Sequence, residues 1–135
     1  MIIEGGCYCG AVRYRAEAEP QLRAQCHCRE CQYISGGSPN VVVGLPEAQF
    51  SYVKGKPTVF RRSDLEQPVT REFCGACGTP LTSRAPGIPG IVLVKVGSLD
   101  QPALFGKADF VVFTIDKQSF HALPEGVPAF ERMPG

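Results

Sequence analysis

The sequence contains no tryptophan and few aromatic residues, so its core must rest largely on aliphatic side chains. It also lacks an excess of either charge: 14 Lys+Arg stand against 13 Asp+Glu, a formal net charge of +1. Nucleic-acid binding usually announces itself as a basic excess or stripe, and its absence argues against that class of partner. Long apolar runs are missing too. Stretches such as Ile91-Val92-Leu93-Val94 fall far short of the ~20 apolar residues that a membrane-spanning helix needs, so no membrane partner is expected. The opening Met1-Ile2-Ile3-Glu4-Gly5-Gly6 has neither a basic n-region nor an apolar h-region, so a secretory leader is not expected and the reading is a cytoplasmic protein. Repeats, low-complexity segments and charge blocks are likewise absent.

What remains is an ordinary globular composition in 135 residues, a length that suits one domain over residues 1–135. The 15 glycines and 12 prolines favour many turns and short strands over long helices. Val12, Tyr14 and Ala16 alternate with Arg13 and Arg15, the period-two pattern of a half-buried strand. Val41-Val42-Val43, Phe50–Val53 and Thr58–Phe60 read as further strands, Arg71-Glu72-Phe73 leads into the last cysteine pair, and Ile91–Val96 and Phe110–Ile115 read as the strongest strands. Only Arg29–Ile34 suits a helical turn or two, ended by Ser35-Gly36-Gly37. Pro124, Pro128 and Pro134 predict an extended tail over the surface. The expected fold is mainly β.

The chemistry sits in seven cysteines, grouped as Cys7-Tyr8-Cys9-Gly10, Cys26-His27-Cys28-Arg29-Glu30-Cys31 and Cys74-Gly75-Ala76-Cys77-Gly78. Thiols in a reducing compartment serve as metal ligands or catalytic groups rather than bridges, and an odd count does not close a disulfide framework. A C-x-x-C turn followed by glycine has the shape of a zinc knuckle, and Cys9-Gly10 repeats that logic in a tighter form. A structural zinc takes four protein ligands, while a catalytic one commonly keeps three and an open position. Seven cysteines therefore divide into four plus three. Cys26, Cys28 and Cys31 can chelate one ion locally, and Cys7 with Cys9 would complete Cys74 with Cys77. The other partition, in which the middle cluster joins an outer pair, leaves a C-x-C or C-x-x-C unpartnered and ranks lower. The spacings match neither ferredoxin pattern, and a thioredoxin-type role for Cys74 and Cys77 would want a βαβ setting. His27, between two ligands, is expected to point away from their ion, and His121 to be a surface or edge residue.

An ion held by three thiolates keeps a net negative charge and activates water poorly. It is better suited to a fourth thiolate, because coordination deprotonates a bound thiol near neutral pH. A small thiol substrate follows, glutathione being the abundant cytoplasmic candidate. Its carboxylates need basic partners, and Arg29, Lys54, Lys56, Arg61, Arg62 and Arg84 are available.

Three ordered motifs carry a resemblance that covers nearly the whole chain. Gly5-Gly6-Cys7-Tyr8-Cys9-Gly10-Ala11-Val12-Arg13-Tyr14, Cys26-His27-Cys28-Arg29-Glu30-Cys31-Gln32 and Phe73-Cys74-Gly75-Ala76-Cys77-Gly78-Thr79-Pro80-Leu81 resemble those of the glutathione-dependent formaldehyde-activating enzyme family, which also includes the centromere protein V group. Val96-Gly97-Ser98-Leu99-Asp100 and Leu123–Glu131 resemble its C-terminal signatures. The resemblance implies a β-tent of antiparallel sheets around two zinc ions, with Cys7, Cys9, Cys74 and Cys77 as the structural tetrad. Cys26, Cys28 and Cys31 would be the catalytic trio. It further implies carbon–sulfur lyase chemistry, the reversible condensation of glutathione with formaldehyde to S-hydroxymethylglutathione. The alternative of a different class is a non-enzymatic zinc module that binds a small thiol or a protein partner.

Overall fold

The short β-branched runs pair into two sheets in the computed structural model, which describes residues 1–134. The smaller sheet takes β1 (Ile2–Gly6), β2 (Arg13–Glu17) and β5 (Phe50–Lys54), in the order β1-β2-β5. The larger one uses β3 (Leu22–Cys26), β4 (Asn40–Pro46), β6 (Thr58–Phe60), β7 (Thr70–Phe73), β8 (Pro80–Arg84), β9 (Ile91–Lys95) and β10 (Phe110–Val112). Its order is β10-β3-β4-β9-β8-β7-β6. Neighbours run antiparallel except β10, which joins the edge of β3 in parallel through the pairs Phe110–Ala24, Val111–Gln25 and Val112–Cys26. The one α-helix, α1 (Arg29–Ile34), is the segment read as helical in the sequence. No helix among the described residues is long and apolar enough to cross a membrane.

The two sheets meet over a shared core. Ile3, Val12, Tyr14 and Ala16 on the smaller sheet side pack with Val43, Leu45, Leu81, Val92 and Val94 on the larger. In the absence of tryptophan, Tyr14 is the largest fully buried side chain, with Phe50 and Tyr52 at ring-centroid distances of 5.3 and 6.4 Å. A buried phenol must keep a hydrogen-bond partner. Tyr14 Oη finds it in Ser98 Oγ at 2.7 Å, and Ser98 Oγ in turn donates to the carbonyl of Lys95 at 2.8 Å. Burial pushes the Tyr14 hydroxyl up to about 12 despite that bond, so the ring stays neutral.

Two sequence expectations are corrected. The strand expected over Phe110–Ile115 stops at Val112, because Phe113 adopts a left-handed backbone (φ 58°) and a 3₁₀ turn follows over Thr114–Asp116. Such a conformation is uncommon outside glycine and ends strand pairing. The proline-rich tail does more than lie over the surface: the Val111 N–H donates to the Pro128 carbonyl, and the Phe130 N–H donates to the Val111 carbonyl, both at 2.8 Å. The chain end thereby covers the open edge of β10, which would otherwise present unpaired backbone groups.

Candidate metal centres

Two turns, built alike, bring the outer cysteines together. In the β1–β2 connection the Cys7 N–H donates to the Val12 carbonyl at 3.0 Å and the Gly10 N–H to the Cys7 carbonyl at 3.1 Å. In the β7–β8 connection the Cys74 N–H donates to the Thr79 carbonyl at 3.0 Å and the Gly78 N–H to the Cys74 carbonyl at 2.8 Å. Gly10 and Gly78 close these loops at φ 82° and 81°, a region that a side chain would strain. The Val12 N–H then points at Cys7 Sγ (3.2 Å) and the Cys77 N–H at Cys74 Sγ (3.4 Å). The Tyr8 N–H, donating to Thr79 Oγ1 at 3.0 Å, ties one turn to the other. The four sulfurs of Cys7, Cys9, Cys74 and Cys77 lie within 4.8 Å of one another. Cys7–Cys9 and Cys9–Cys74 separations are 3.6 and 3.8 Å. Tetrahedral zinc with Zn–S bonds of about 2.3 Å sets its sulfurs roughly 3.8 Å apart, so the donor set fits that ion. Since one turn leaves the smaller sheet and the other the larger, this cluster joins the two sheets.

The second cluster forms where β3 runs into α1. Cys26 ends the strand, Cys28 is the helix N-cap, and Cys31 lies one turn on; their sulfurs also lie within 4.8 Å of one another. Cys28 Sγ accepts from the Cys31 N–H at 3.3 Å, and Asn40 Nδ2 reaches Cys31 Sγ at 3.6 Å. No fourth His, Cys, Asp or Glu joins this group among the described residues. The thiols set opposing demands: hydrogen bonds from Cys26 and Cys28 pull Cys31 down, while hydrogen bonds with Cys28 and Cys31, and then burial, push Cys26 up. Three sulfurs this close can all ionise only beside a cation, which again fits a divalent ion with three thiolate ligands.

His27 does point away from the cluster, as its place between two ligands implies. It is fully buried, and its Nδ1 meets Nδ1 of His121 at 3.3 Å. His121 Nδ1 accepts from the Gln118 N–H at 3.0 Å, and its Nε2–H donates to the Gly37 carbonyl at 2.6 Å; this assigns the proton on His27 to Nδ1. Burial first, and then the neighbouring His121 and Lys117 side chains, hold His27 below its ordinary value and therefore neutral. The expectation of a surface His121 is thus overturned: it is only 8 % exposed, because residues 114–121 fold back over α1. Gln32, also buried, completes the joint by donating to the His27 carbonyl at 2.7 Å and the Asp116 carbonyl at 2.9 Å. Sequence reasoning missed Gln32 and His121 as supports of the cluster, since neither carries a local signal.

None of the six basic residues singled out from the sequence lines the cavities beside this cluster. Arg29 lies over the Tyr33 ring at 5.0 Å, Arg62 pairs with Asp64, Arg84 with Glu47 and Glu72, and Lys54, Lys56 and Arg61 are exposed. Two others do: Arg71 and Lys95. Burial draws the Lys95 ammonium down to about 8, against the pull of the neighbouring thiols of Cys31, Cys26 and Cys28. The signal available was Lys95 itself, a charge set inside the apolar run Ile91–Val96.

Comparison with known proteins shows a shared fold and a family. A crystal structure of a Rhodobacter sphaeroides protein superposes with a TM-score of 0.63 at 21 % identity, over 78 % of this chain and 96 % of that one, which shows a shared fold. A Halomonas elongata protein named "Putative glutathione-dependent formaldehyde-activating enzyme" is 29 % identical over 105 residues, covering 74 % of this chain and 67 % of that protein. The family model for glutathione-dependent formaldehyde-activating enzyme matches residues 2–115, which include all seven cysteines, and the chain belongs to that family.

Proposed function

We propose that the chain catalyses the reversible formation of a carbon–sulfur bond between a small thiol, glutathione, and formaldehyde, using two zinc ions per chain. Cys7, Cys9, Cys74 and Cys77 would hold a closed structural ion, and Cys26, Cys28 and Cys31 one with an open position. The observation that carries the reading is the cluster of three cysteine sulfurs without a fourth protein ligand, set between a rigid strand end and a helix cap. Zinc bound there would supply the positive charge that keeps a substrate thiol ionised near neutral pH. The chain's own residues do the rest. Asn40 and the Cys31 N–H hold the ligand sulfurs in place, and the His27–His121–Gln32 joint fixes the loop that carries them. In the reaction the substrate sulfur bonds to the carbonyl carbon, the carbon–oxygen π pair moves to oxygen, and the proton released from the thiol ends on that oxygen. The product is a hydroxymethyl thioether, and no oxidant or reductant is consumed.

The test is exchange NMR with labelled formaldehyde and glutathione, because the condensation also proceeds uncatalysed. Zinc-loaded protein should raise the interconversion rate in proportion to its concentration, and protein treated with a chelator should not. A rate equal to the background with both clusters filled would overturn the enzymatic reading in favour of a thiol- or protein-binding zinc module.

A further inference from the structure

The three-cysteine cluster is flanked by a groove made of two cavities, of about 240 and about 420 Å³. Both are bordered by Ile34, Pro80 and Lys95. The narrower extends toward Arg71, and the wider toward Ser38 and Asn40. Because Asn40 also contacts Cys31 Sγ, groove and cluster are one side chain apart. Lysine is seldom buried unless its charge is paired. Lys95 is 6 % exposed, yet the partner of its ammonium is the Ser83 hydroxyl at 3.0 Å, which uses one of three donors. Other charges at the groove are matched: Arg71 pairs with Glu30 at 2.9 Å and Glu72 with Arg84 at 3.3 Å. Among the described residues Lys95 has no carboxylate partner, so the groove holds a desolvated cation with donors to spare.

We propose that Lys95, with Arg71 across the narrower cavity, forms a carboxylate subsite that makes the protein selective for thiols carrying a carboxylate. The inference rests on the thiol reading above and adds to it what distinguishes one thiol from another. A buried ammonium discriminates strongly, because a ligand without the matching anion leaves the charge unpaired. The competing role is that of a counter-charge to the ligand sulfurs. A counter-charge would favour acid and ester forms of a thiol alike, whereas a subsite favours the acid.

Calorimetric titration of the zinc-loaded full chain with glutathione, glutathione diethyl ester and S-methylglutathione separates these possibilities. Wild-type protein should bind the acid at least about tenfold more tightly than the ester, as expected for a charged hydrogen bond. Lys95→Met keeps the length and removes the charge; it should bring the acid to the affinity of the ester and leave the ester unchanged, with zinc content as in wild type. Equal affinity of acid and ester for the wild-type protein overturns the subsite without any variant. A Lys95→Met variant that weakens both ligands equally also overturns it and makes Lys95 a counter-charge. S-methylglutathione retains the carboxylates but cannot ionise at sulfur. If it bound as tightly as glutathione, the thiol reading would fall and the subsite would stand; if none of the three bound, both would fall.

Discussion

Cys74→Ser is expected to leave little folded protein. Cys74 is 1 % exposed, packs in the main core and belongs to the cluster that joins the smaller sheet to the larger. Structural zinc contributes an apparent ~10–16 kcal/mol in small zinc domains, comparable with the whole stability of an ordinary domain of roughly 5–15 kcal/mol. A serine oxygen is a poor substitute for a thiolate, and three ligands bind less tightly than four. Even partial loss of that energy should exceed the roughly 4 kcal/mol that marks an exceptional single substitution. Thermal unfolding, with soluble yield as a second measure, would show it. A melting temperature within a few degrees of wild type would mean that the outer cluster does not hold the fold together.

Cys28→Ser should do the reverse, abolishing thiol chemistry while sparing the fold. Cys28 is the N-cap of α1, and its side chain accepts from the Cys31 N–H. Serine is among the best N-cap residues, so the substitution preserves the cap and stability should change by no more than about 1 kcal/mol. The cluster, however, falls to two thiolates. Loss of groups that merely support a ligand lowers metal affinity or activity about 10–100-fold, so loss of a ligand itself should lower the protein-dependent part of the exchange rate, above the uncatalysed background, by at least about a hundredfold. Equal destabilisation by Cys28→Ser and Cys74→Ser would mean that the roles of the two clusters are wrongly divided.

The contrast between these variants follows from chemistry legible in the sequence. The spacing of Cys7, Cys9, Cys74 and Cys77 and of Cys26, Cys28 and Cys31 gave the same two groups that the fold assembles, because each pair or trio is a local turn. Strands β2, β4, β5, β6, β9 and β10 were visible as β-branched, aromatic or alternating runs, and α1 as the one segment with helical length. Four strands were not: β1, β3, β7 and β8. In β1, Gly5 is required because a Cβ there would meet the Ser98 carbonyl at 2.4 Å, a tertiary contact with no local trace. Strand β3 (Leu22–Cys26) has no β-branched residue, β7 (Thr70–Phe73) is four residues long with two adjacent charges, and β8 opens on Pro80. The supports of the second cluster were hidden for a similar reason. His121 lies 94 residues from His27, and only the return of the chain over α1 makes them partners.

Native mass spectrometry of freshly purified, fully reduced protein, followed during stepwise chelation, examines the division of the cysteines itself. Two zinc ions per chain are expected, with one lost first and the remaining one-zinc species still folded. Cys28→Ser should retain one zinc and unfold no earlier than this one-zinc wild-type species. A single zinc in the untreated protein with all seven thiols reduced, or unfolding on loss of the first ion, would contradict a closed site of four cysteines beside an open site of three.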